Sequence, residues 1–277
     1  MNRFQRAALL ISCVALVALT GRTTIAESVV RSGTAAISTD PDARSWTISA
    51  HGTALTLLID PARDFQVLSL RSPSAEPQAL GGLPDTEITV GGKALPFGSR
   101  SAGFVYQGVA TSVSGPTVRL DVTFDLPPAR LRATRHYAAT SGSPTFETWT
   151  SFAPLGSPVT IGDLNGFKLT IPNGTLHWLN GLQGDDASTS RDSAFTRQER
   201  LLGAGQRLAL GAEGRSSEQT VPWFAVDSGA DAFYAGLLWS GAWSLTAERR
   251  SNGIDVTMGL APMTTSLASP VDGPRAF

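Results

Sequence analysis

Cysteine is nearly missing from this sequence, and the one present, Cys13, lies inside an apolar run from Ala7 to Leu19. The remainder of the chain has no thiol, which excludes disulfides and cysteine metal ligands. Histidine is scarce as well. His51, His136 and His177 are far apart, and none belongs to a His-x-x-x-His or His-Glu-x-x-His pattern, so a zinc centre has no local signature. Lysine is sparse beside arginine, the arginines form no basic run, and the formal net charge is -1. The clustered basic face that nucleic-acid binding needs is therefore absent. There is no Gly-x-Ser-x-Gly elbow, and the glycines sit at turns rather than ahead of a helix, so serine-nucleophile and phosphate-loop chemistry lack their usual frames. No metal and no cofactor is expected.

The N-terminus has the layout of a secretory signal peptide. Arg3 and Arg6 supply a basic start, the run Ala7 to Leu19 carries no charge, and Thr24-Ile25-Ala26 ends in small residues before Glu27. The run is short for a membrane span. Cleavage after Ala26 is the working expectation, with an uncleaved anchor as the alternative. Cleavage would remove Cys13 and leave an exported chain, periplasmic or extracellular, with no membrane segment. Residues 27–277 then read as one domain, with 27–46 as a loose lead-in. That length suffices to bury a sizeable core without disulfides.

No stretch from Glu27 to Phe277 keeps helical spacing for three turns; the dominant period is two. Val118, Leu120, Val122, Phe124 and Leu126 alternate with Arg119, Asp121, Thr123 and Asp125, as a half-buried strand requires. Similar runs bounded by Gly, Pro, Asn or Asp are expected as strands at residues 54–59, 65–70, 131–138, 145–152, 159–164, 207–210, 223–226, 232–238, 243–248 and 254–260. Two hairpins are expected, 86–90 with 93–97 about Gly91-Gly92, and 167–171 with 175–179 about Asn173-Gly174. Asn173-Gly174-Thr175 also spells a glycosylation sequon. Gly184 to Gln198 reads as an exposed polar loop. The fold class is all-β, a large antiparallel β-sandwich with few or no helices.

Paired acids could serve sugar hydrolysis. Asp185-Asp186, Asp227 with Asp231, and Asp121 with Asp125 are present, but strand-alternating or adjacent acids usually form a solvated face, and no catalytic residue is nominated. The aromatics are more informative. Trp223-Phe224, Phe233-Tyr234, Trp239 and Trp243 cluster near the C-terminus, with Ser240-Gly241 as a tight turn. Indoles stack on sugar rings, so Trp223, Trp239 and Trp243, with Arg215 as a fixed donor fork, are the sugar-binding candidates. The competing reading is burial in the core.

Gly214-Arg215-Ser216-Ser217, Pro222-Trp223-Phe224-Ala225-Val226 and the run Phe233 to Trp243, preceded by Arg135-His136-Tyr137, Ser143-Pro144 and Phe146-Glu147-Thr148-Trp149, resemble the N-terminal β-supersandwich of glycoside hydrolase family 36, the melibiase-type α-galactosidases. Ala242 stands where the family commonly has Asn. The resemblance implies that the catalytic (β/α)8 barrel, with its two aspartates, is missing from this chain, which ends about where the barrel would begin. It implies a non-catalytic supporting role in hydrolysis of terminal α-galactosides, with the barrel as partner in cis or in trans and a homo-oligomer possible. A free-standing carbohydrate-binding module and a structural or assembly domain are the other readings.

Overall fold

A computed structural model describes residues 28–40, 44–73, 77–182, 194–229 and 231–277. Six strands open the chain: β1 (Ser28–Ser32), β2 (Ala35–Asp40), β3 (Ser45–Ala50), β4 (Thr53–Ile59), β5 (Phe65–Arg71) and β6 (Gln78–Leu83). They pair in sequence order as one antiparallel meander. Within the stretch 27–46, expected as a loose lead-in, Ser28–Ser32, Ala35–Asp40 and the start of β3 lie in paired strands. Its pattern is alternating but weak, because the inward residues Ala35 and Ile37 are followed by Ala36 and Ser38 rather than by charges.

The chain continues through β7 (Glu87–Val90), β8 (Lys93–Pro96), β9 (Val105–Ser114), β10 (Thr117–Leu126), β11 (Leu131–Thr140), β12 (Phe146–Pro154), β13 (Val159–Gly162) and β14 (Asn165–Ile171). Next come β15 (Thr175–Asn180), β16 (Arg197–Leu201), β17 (Arg207–Ala212), β18 (Thr220–Asp227), β19 (Ala232–Leu238), β20 (Trp243–Arg250) and β21 (Gly253–Leu260). Three short strands close it, β22 (Thr264–Leu267), β23 (Val271–Asp272) and β24 (Arg275–Ala276). A ten-stranded sheet runs β16-β15-β18-β19-β24-β12-β11-β10-β9, with β23 also on β12. Two four-stranded sheets have the orders β22-β13-β7-β8 and β14-β21-β20-β17. Single 3-10 turns at Arg100–Ala102 and Pro127–Ala129 are the only helical elements among the described residues. The molecule is an all-β sandwich.

The ten-stranded sheet spans two cores. Over β9 to β12 its inner face meets the first meander. There Val118, Leu120, Val122, Phe124 and Leu126 are all buried, as the alternation on β10 requires. Phe97 packs edge-on against both Phe65 (5.6 Å) and Phe124 (5.3 Å), the geometry favoured by the ring quadrupole. The second core lies between β18–β19 and the sheet of β14, β21, β20 and β17, built on Phe167, Phe224, Trp243, Leu245, Val256 and Met258.

The expected Gly91-Gly92 hairpin is present: Val90 faces Lys93 across β7 and β8, and both glycines take positive φ. The expected hairpin about Asn173-Gly174 is not. β14 pairs with β21, whereas β15 pairs with β16 and β18 in a different sheet. Neither Asn173 nor Gly174 has positive φ, so no two-residue hairpin turn forms. Gly174 is small for another reason, since a Cβ there would strike the Asp227 carbonyl oxygen. Most of the expected loop Gly184 to Gln198, like the signal segment 1–26 and Cys13, lies outside the described residues; Arg197 and Gln198 open β16.

Candidate functional site

Topology gathers the four sugar-binding candidates at one end of the second core. The connection from β17 to β18 carries Arg215, and the connection from β19 to β20 carries Trp239. Both cross between the ten-stranded sheet and its four-stranded partner, beside the β17–β20 pairing of Ala212 with Trp243. Arg215 is exposed in a turn closed by the Glu218 N–H donating to the Arg215 carbonyl (3.1 Å). Trp239 is 42% exposed, and its indole Nε1 lies 2.8 Å from where a Cβ on Gly241 would stand. Trp223 is half-buried opposite Gly236 on the outer face of β18.

Trp243 does not fit the role expected of it. It is 1% exposed, packs in the second core, and donates its Nε1–H to the Ser216 carbonyl at 2.6 Å. Both ring faces are occupied by protein, so no sugar can stack there. Its function is to hold the Arg215 turn against the start of β20.

The acids weighed from the sequence are individually engaged. Asp125 receives two hydrogen bonds from Arg132 (2.8 and 3.1 Å), Asp227 accepts from the Gly229 N–H (2.8 Å), and Asp231 accepts from Ser72 (3.2 Å). Asp185 and Asp186 lie outside the described residues. Among the described residues no three His, Cys, Asp or Glu side chains cluster closely enough to hold a metal ion.

Two polar constellations escaped sequence reasoning, and both stem from Arg135-His136-Tyr137 on β11. Alternation sends Arg135 and Tyr137 inward and His136 outward. Inside, Arg135 is fully buried. It donates to Asp85 Oδ2 from Nη2 (2.8 Å) and Nε (3.3 Å), to Thr148 and Thr150, and to the Gly166 carbonyl (2.8 Å), while the Tyr137 hydroxyl donates to Asp85 Oδ1 (2.8 Å). Burial by itself would lower the Arg135 pKa, but the Asp85 charge and Tyr137 outweigh it and the net direction is up. Burial, reinforced by the Asp85 charge, pushes Tyr137 well above the ordinary phenol value.

On the outer face His136 stacks on Trp149 with centroids 4.7 Å apart, and Arg275 lies over the same indole at 4.2 Å. Asp121 Oδ1 is 2.6 Å from His136 Nδ1, and Ser151 Oγ is 2.7 Å from Nε2. These distances match an Asp-His-Ser relay. The Ser151 hydroxyl, however, donates its hydrogen to Asp272 Oδ1. A hydroxyl hydrogen committed to Asp272 is not directed at Nε2. The chain works as a clamp across β10, β11, β12 and β23.

Solved structures share this architecture. The glycoside hydrolase family 36 α-galactosidase AgaB from Geobacillus stearothermophilus aligns with a TM-score of 0.67 at 14% identity, over 87% of this chain and 40% of its own. The galactosidase domain of the α-galactosidase-sucrose kinase AgaSK gives 0.67 at 12% identity, over 87% and 41%. The α-galactosidase from Lactobacillus brevis gives 0.63 at 13% identity, over 86% and 39%. No family model and no curated protein matches the chain. At these identities the likeness is one of fold, and the chain spans about 40% of the length of those enzymes.

Proposed function

We propose that this chain is an exported, non-catalytic β-sandwich of an α-galactosidase-like glycoside hydrolase, supporting hydrolysis of terminal α-galactosides by a (β/α)8 barrel held in cis or in trans. The observation that carries this reading is the shared fold over 87% of the chain but only 40% of AgaB. The test is an α-galactosidase assay on the purified chain, alone and with such a barrel added. Activity that appears only with the barrel supports the reading, and activity of the chain alone overturns it.

The exposed Trp239 and the half-buried Trp223 at the end that carries Arg215 favour a second reading, a carbohydrate-binding surface. Titration calorimetry with α-galactosides tests it. Under that reading heat is released at millimolar sugar and Trp239→Ala removes it; no heat from the intact chain ends it.

A further inference from the structure

Between the first meander and the ten-stranded sheet lies a cleft of about 320 Å³ that none of the four sugar-binding candidates lines. That volume is at the lower end of small-molecule sites. Its floor is fully buried, formed by Val67, Leu80, Phe167 and Ala235, and Phe146 and Phe233 supply further aromatic lining. The exposed lining residues, Arg71, Pro73, Pro144, Ala232 and Tyr234, mark the mouth.

Charge narrows the class of occupant. Arg71 and Asp231 at the mouth have opposite signs, and Asp231 already accepts from Ser72. The floor holds one carboxylate, Asp85, whose charge is balanced by Arg135. A charged ligand would meet no net opposite charge here, and its desolvation would go uncompensated. Asp85 nevertheless keeps some accepting capacity. A carboxylate has about four acceptor positions; Arg135 uses two bonds to Oδ2 and Tyr137 one to Oδ1.

We propose that this cleft binds a neutral, compact aromatic molecule carrying a single N–H or O–H donor, with its ring against Phe146, Phe167 and Phe233 and its donor on Asp85. Indole and 1-methylindole are suitable probes, because they differ at the donor and keep the ring.

Saturation-transfer NMR and titration of the intact chain read out binding. Indole should bind saturably, and 1-methylindole about fivefold to tenfold more weakly, the value of one hydrogen bond. Ala232→Trp adds bulk at the exposed mouth without entering the core. It should abolish indole binding while leaving the thermal midpoint near that of the parent. Absence of saturation at millimolar indole, equal binding of the two probes, or unchanged binding in a folded Ala232→Trp variant would each overturn the proposal.

Discussion

At the residue scale, the costliest single arrangement is the Asp85–Arg135–Tyr137 network. A fully buried guanidinium is tolerated only because acceptors surround it, one of them the Asp85 carboxylate. Removing one partner of a buried pair costs about 3–5 kcal/mol, because the other charge is left uncompensated. Tyr137 adds a pH dependence with a definite sign. Its folded pKa is raised by burial and by the Asp85 charge. Its contribution is therefore complete below the unfolded value of 10.0 and declines as pH rises beyond it, when the unfolded chain gives up a proton that the folded chain keeps. The unfolding free energy should fall by about 1.4 kcal/mol per pH unit on this account. Urea unfolding of the parent and of Tyr137→Phe on either side of that value should show a shallower alkaline decline in the variant. Parallel declines would count against the assignment.

The inward destination of Arg135 was available in the sequence. Arg135 shares its parity on β11 with Ala133, Tyr137 and Leu131, all of them buried. The tryptophans were less legible. A ring beside a tight turn can point out, as Trp239 does, or in, as Trp243 does, and only the Ser216 carbonyl waiting for its N–H distinguishes the two.

Among elements, β10 was readable because charged or polar residues separate its buried ones. Its edge neighbour β9 was not, because it is exposed on both faces over much of its length, and its register shifts where Gly108 faces Thr123. The β14–β15 junction misled for a different reason: Pro-Asn-Gly is turn chemistry in any context, yet here the chain leaves one sheet for another. Close backbone approach makes glycine necessary at 174. Gly174→Ala should therefore destabilise the protein by about 1–3 kcal/mol, the usual cost of overpacking, as read from the shift in the urea midpoint. A Gly91→Ala substitution provides the contrast. It meets no neighbouring atom, so it bears only the penalty of positive φ.

At the scale of the molecule, one continuous sheet joins two cores. Short terminal strands complete it, with β24 bridging β19 and β12 and Asp272 tied to the His136 clamp through Ser151. The buried Arg135 charge is balanced by Asp85, and the shared fold covers about two-fifths of AgaB and of the galactosidase domain of AgaSK. On the proposed reading, hydrolysis belongs to a domain that this sandwich supports. The most direct measurement is release of nitrophenol from an α-galactoside by the purified chain, with and without a family 36 barrel supplied separately. The account predicts no hydrolysis by the chain alone and a gain in activity when the two are mixed. Turnover by the chain alone would contradict it.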